Sequence, residues 1–130
     1  MKLGYTIIYV PNVTQTLEFF EKAFGLKKKF LHDSGDYGEL DTGETALAFA
    51  SHDLGQANLP KGYVAASESL LPLGVEIAFT TADVRSAFES AIAAGANAIK
   101  EPELKPWGQT VAYVRCPDGT LVELCTPVGE

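Results

Sequence analysis

Two glutamates interrupt apolar runs that read as strands: Glu76 in Val75-Glu76-Ile77 and Glu123 in Val122-Glu123-Leu124. A carboxylate turned toward an interior is costly unless it is solvated or paired. Two carboxylates brought together share a proton, so one acts as an acid and the other as a base. The same pair could instead hold Mg²⁺ or Mn²⁺ with several waters. The plainer alternative is that both face bulk solvent or bond to an Arg or Tyr. Tyr113 precedes Glu123 across a Pro117-Asp118-Gly119 turn, so the two can meet in a hairpin.

Further polar residues follow the same alternation. Val111, Tyr113 and Arg115 share one strand face. Tyr37 and Glu39 occupy a matching place earlier in the chain. A cavity lined by Tyr37, Glu39, Glu76, Tyr113, Arg115 and Glu123 would be polar with paired charges, Arg115 neutralising Glu39. Both tyrosines read equally well as packed rings with a tethered hydroxyl. Trp107, the only tryptophan, sits in Lys105-Pro106-Trp107-Gly108 before a strand. It would stack on a ligand, plug the end of a sheet or make a dimer contact. His32 and His52 are loop histidines, expected to be solvated, though His52 is near enough to a strand end to reach back. Cys116 and Cys125 have neither the number nor the spacing of a disulfide framework or zinc site. No glycine-rich phosphate loop is present.

The elements that would position these residues come in two similar sets. Residues 5–10 form a β-rich run ended by Pro11. Asn12 and Gln15 make a capping pair, Leu17, Phe20 and Phe24 follow at helical spacing, and Gly25 is a helix stop. Residues 27–31, 37–41 and 45–50 are three strands separated by turns. The pattern lapses over 51–74, with a single helical turn expected near 65–70. It restarts with a strand at 75–80, a helix from Asp83 to Gly95, an extended piece at 96–100, a loop at 102–106, and strands at 109–115 and 120–125. An internal repeat of this kind governs the fold. The expected class is α+β: two βαβββ modules forming a curved mixed sheet, or incomplete barrel, around a cavity. One domain spans 1–130, with module one at about 1–51, a linker at about 52–73 and module two at about 74–130.

This arrangement resembles the vicinal-oxygen-chelate superfamily, which includes glyoxalases, bleomycin-resistance proteins and dioxygenases. PDGTLVEL at 117–124 is similar to its terminal D-P-D-G-x-x-x-E-L hairpin, with Cys116 in place of the first Asp. GVEIAFTTADV at 74–84 is the second cue. In metal-dependent members, His, Glu or Gln ligands sit on the first and last strand of each module. Those positions here hold Tyr5, Ala48 (or Leu47), Glu76 and Glu123. The resemblance thus implies an incomplete site for Mg, Mn, Ni or Zn, with only Glu76 and Glu123 as good ligands. A catalytic metal needs about three. The resemblance also implies a homodimer and a small-molecule ligand. Lys105 to Gly108 is similar to the Pro-Trp-Gly segment of metal-free bleomycin-resistance proteins, where aromatic groups stack on the drug.

Charge narrows the partners. Ten basic against seventeen acidic residues give a net charge of −7, which disfavours nucleic acid and anionic membranes. No run of about 20 apolar residues spans a bilayer, and the first residues lack the apolar stretch of a signal peptide. A cytoplasmic protein is expected. Two functions stand out: a glyoxalase-like lyase or isomerase using Glu76 and Glu123 on a small polar metabolite, or a protein that sequesters a drug or natural product. Tyr5, Tyr37, Glu39, Trp107, Tyr113 and Arg115 would contact the ligand in either.

Overall fold

The computed structural model describes residues 1–128. Gly129 and Glu130, at the end of module two as read above, lie outside the described residues.

In strand β1 (Tyr5–Val10), Ile8 and Val10 turn toward the core and Tyr5 and Ile7 toward an open face. Helix α1 (Val13–Phe24) follows at once. The Asn12 side chain accepts the Gln15 backbone N–H at 2.9 Å, satisfying one of the free donors of the first turn. Gly25, at φ 71°, closes the helix in the left-handed conformation. Strands β2 (Lys27–Leu31), β3 (Tyr37–Asp41) and β4 (Ala46–Ser51) complete module one. The second module repeats the order: β5 (Glu76–Thr80), α3 (Val84–Ala94) capped by Asp83, β6 (Asn97–Leu104), β7 (Thr110–Arg115) and β8 (Leu121–Cys125). Helix α2 (His52–Asn58) lies between the modules.

Each module is a four-stranded mixed sheet, ordered β1-β4-β3-β2 and β5-β8-β7-β6. The first strand of each runs parallel to the last, and the other pairings are antiparallel. The α+β class and the two βαβββ modules stand, and the sheets do not close into a barrel. Both helices cover the same side of their sheets, and α1 packs on α3. One apolar core runs through both modules, with the ring of Phe79 5.1 Å from Phe24 and 6.4 Å from Phe20. Burying a side chain such as Phe20 stabilises the fold by about 1.5–3 kcal/mol. The opposite face of each sheet is left open, and it carries the polar residues singled out above. Among the described residues, no helix is long and apolar enough to cross a membrane.

Two local expectations need correction. The linker is helical over His52–Asn58, where Ser51 accepts the Leu54 N–H as N-cap, whereas 65–70 holds only a hydrogen-bonded turn from Ala65 to Glu68. The loop expected over 102–106 is instead largely strand, because β6 continues to Leu104. Pro102 is tolerated there because β6 is an edge strand and its pairing shifts between Lys100 and Glu103.

Candidate functional site

Glu76 opens β5 and pairs in register with Leu121, while Glu123 lies opposite both Ala78 and Tyr113. The parallel β5–β8 ladder therefore brings the two carboxyls within hydrogen-bonding reach on the open face. Tyr113 Oη donates to Glu123 Oε1 at 3.0 Å. Cys125 is two residues further along β8, beside Glu123, with its Sγ 3.8 Å from Phe79 O.

The two carboxyls are not equivalent. Glu76 is pushed up to about 7, first by its hydrogen bond with Glu123, then by burial and the neighbouring charge. Burial also pushes Glu123 up, but hydrogen bonds with Glu76, Cys125 and Tyr113 outweigh it and hold its carboxyl below the usual range. Burial and Glu123 raise Tyr113 to about 12 and Cys125 to about 11, so both stay protonated at neutral pH. Near pH 7 Glu123 is the anion, and Glu76 sits at its own midpoint.

Beside this pair is a cavity of about 310 Å³ between β1, β5, the PDG turn and the linker. Its wall is mainly apolar, with Ile8, Val64, Leu73, Ile77 and Leu121, and Glu76 is its one acidic group. A larger open groove of about 800 Å³ along α1 contains none of the candidate site residues.

Tyr37 and Glu39 form a separate cluster on module one, with Tyr37 Oη donating to Glu39 Oε2 at 2.8 Å. Among the described residues, no hydrogen bond or ion pair links this cluster to Glu76 or Glu123. Nor does Arg115 neutralise Glu39. Its guanidinium donates instead to Gly119 O, Leu70 O, Ala66 O, Ser69 O and Ser69 Oγ at 2.8–3.2 Å. Arg115 thus fastens the linker to the PDG turn. Gly119, at φ 96°, makes this approach possible, since a Cβ there would lie 2.1 Å from Ala66 O. The Arg115 contacts had no signal in the sequence, because the linker carbonyls it reaches lie 45–49 residues away. Trp107 is 67% exposed at the β6–β7 turn, its indole N–H held by Gln109 Oε1 at 2.7 Å. His52 does not reach toward Ala48, since its Nδ1 lies 2.6 Å from Tyr63 Oη in the linker. His32 contacts Ser34 in its own turn.

Ala48 lies opposite Ile7 as Glu123 lies opposite Ala78, so Ala48, not the core-facing Leu47, is the counterpart of Glu123. Tyr5 is likewise the counterpart of Glu76. Among the described residues, no three or more His, Cys, Asp or Glu side chains group to hold a metal ion. The donor set on this chain therefore falls short of a catalytic divalent-metal centre.

The Glyoxalase/Bleomycin resistance protein/Dioxygenase superfamily model matches residues 2–124. A glyoxalase-related enzyme from Fulvimarina pelagi superposes with a TM-score of 0.82 at 18% identity, covering 99% of this chain and 93% of that one. A glyoxalase/bleomycin resistance protein/dioxygenase family enzyme from Burkholderia phytofirmans gives 0.80 at 20% identity, covering 97% and 98%. A protein of unknown function from Agrobacterium tumefaciens gives 0.77 at 26% identity, covering 98% and 95%. No curated protein sequence matches. The repeated modules, the open sheet faces and the family match agree, and the chain belongs to the glyoxalase/bleomycin resistance protein/dioxygenase superfamily.

Proposed function

We propose that the protein is a glyoxalase-like isomerase or lyase that moves a proton on a small metabolite, with Glu76 as the proton-transfer group. The observation that carries this reading is the Glu76–Glu123–Tyr113 chain beside a cavity of about 310 Å³. Glu123 is held as an anion by three donors and raises Glu76 to about 7, where a carboxyl both takes and returns a proton at neutral pH. Glu76 would take the proton from the hydroxyl-bearing carbon beside a carbonyl and return it to the carbonyl carbon, while the hydroxyl proton passes to the former carbonyl oxygen, which restores the enzyme. Glu123 and Tyr113 position and tune it. The apolar remainder of the cavity suits a metabolite with a short carbon skeleton next to its polar end.

Homodimerisation and a cytoplasmic address belong to the same proposal. Tyr5, Ile7 and Phe30 are 41–61% exposed on an open sheet face, apolar surface that a second copy would cover. Free, buried Cys116 and Cys125 suit a reducing compartment. A sequestering role is the second reading, supported by the exposed indole of Trp107.

The test is deuterium uptake. Small α-hydroxycarbonyl compounds are incubated with the protein in D₂O and followed by NMR. Catalysed exchange is expected for at least one, falling by about 10²–10⁴-fold in Glu76→Gln. Undiminished exchange in that variant contradicts the assignment of Glu76.

A further inference from the structure

We propose that the linker side of the cavity carries a second activity, hydrolysis of small esters through an acyl-enzyme on Ser67, with His52 as the base and Tyr63 as the group that orients it. The three side chains come from the first turn of α2 and from the linker, and they stand in one hydrogen-bonded line. Ser67 Oγ lies 3.5 Å from His52 Nε2, and His52 Nδ1 lies 2.6 Å from Tyr63 Oη. That is the order of groups that activates a serine: a nucleophile, a base, and a third group that fixes the tautomer of the base. With its proton on Nδ1 and donated to Tyr63, the imidazole presents a bare Nε2 to the serine. None of the three belongs to the Glu76–Glu123–Tyr113 chain.

The surrounding structure holds this line in place. Gly55 is buried in α2, where a Cβ would lie 2.6 Å from Tyr63 Oη and 2.9 Å from Tyr9 Cδ1, so only glycine lets the phenol reach the helix. The Tyr9 ring packs 5.0 Å from that of Tyr63. Ser67 sits in the turn closed by Glu68 N–H on Ala65 O. The Arg115 strap grips the residues around it, Ala66 O and Ser69 O, at 2.8 and 3.0 Å. The backbone N–H of Ser67 donates to no acceptor among the described residues, which leaves it available to the oxyanion of a bound ester. Tyr63 and Ala66 line the cavity of about 310 Å³, with Leu59 and Val64 beside them, and no Lys or Arg lines it among the described residues. The substrate class is therefore an uncharged ester with a short apolar acyl chain. Ser67 Oγ bonds to the acyl carbon as its proton passes to His52 Nε2. The ester C–O bond breaks, and that proton leaves on the alcohol. Water then gives a proton to His52 and attacks the acyl carbon. The carboxylic acid departs, and the proton returns to Ser67 Oγ.

The full chain is treated with diisopropyl fluorophosphate, which loses fluoride to an activated serine, and the adduct is located by peptide mass spectrometry. Hydrolysis of p-nitrophenyl acetate is followed in parallel. A phosphoryl group on Ser67 is expected, and Ser67→Ala is expected to lose both the adduct and all hydrolysis above the buffer rate. His52→Gln is expected to slow labelling by about 10²-fold or more. Tyr63→Phe keeps the ring in the cavity wall and is expected to lower kcat about tenfold with KM unchanged. The proposal is overturned by no adduct or an adduct confined to another residue, by hydrolysis undiminished in Ser67→Ala, or by labelling undiminished in His52→Gln. A raised KM at unchanged kcat in Tyr63→Phe also overturns it, because the phenol then only packs. If His52→Gln does not fold, labelling of Tyr63→Phe at the wild-type rate decides against it.

Discussion

The two sheets share an architecture and differ in chemistry. At matching positions the first carries Tyr5, Glu39 and Ala48, and the second carries Glu76, Tyr113 and Glu123. Each has a tyrosine donating to a glutamate, Tyr37 to Glu39 and Tyr113 to Glu123. In the first sheet the glutamate stands alone among aromatic rings. In the second it faces another carboxyl, that of Glu76, which is pushed up to about 7. The two faces of one architecture thus differ in which strand carries the acid.

The second half of the linker is strapped to module two by Arg115, and this gives the largest expected effect on folding. Gly119→Ala places a Cβ against Ala66 O at a positive φ, and is expected to cost about 1–3 kcal/mol and release the Arg115 strap. In thermal unfolding with amide exchange, new exposure should appear around 65–70 and leave module one alone. A uniform loss of protection in both sheets would break that division.

The helix caps should behave alike in both modules. Asn12→Ala and Asp83→Ala each remove a side-chain acceptor from a first-turn N–H, at 2.9 and 3.0 Å, and each is expected to cost about 1 kcal/mol in denaturant unfolding. Markedly unequal costs would show that one module contributes far more than its twin to the shared core.

The smallest effect is electrostatic and confined to module two. Glu76 has a folded-state value above that of the unfolded chain, so its protonated form favours the fold. That contribution is fully present below about pH 4.5 and lost as pH rises through about 7. Glu76→Gln should flatten this part of the stability–pH curve, and Glu39→Gln should leave it in place. The effect is modest because Glu76 is solvent-exposed.

Much of the fold was legible because local signals agreed with one another. Asn12 with Gln15, Gly25, Asp83 and the PDG turn mark boundaries whose chemistry is confined to a few neighbouring residues. Helix α2 escaped because seven residues are too short to show a period, although Ser51 followed by Asp53 is a capping signal. The extension of β6 escaped because Pro102 reads as a breaker until the strand is known to lie at an edge. In the site, alternation placed Glu76, Glu123 and Tyr113 on one face, since strand parity is a sequence property. It could not show that Arg115 is spent on linker carbonyls, nor that Phe30 and Tyr37 flank Glu39, because both depend on contacts made across the folded chain.

The central claim is that Glu123, as an anion, tunes Glu76. The pH dependence of deuterium exchange in the wild type and in Glu123→Gln tests it most directly. The wild-type rate should rise with pH through a midpoint of about 7, as Glu76 loses its proton. In Glu123→Gln the hydrogen bond to a carboxylate and its charge are both gone while the burial remains, so the midpoint should fall below about 7, with a lower plateau, as expected of a weaker base. An unchanged midpoint in that variant would contradict the account.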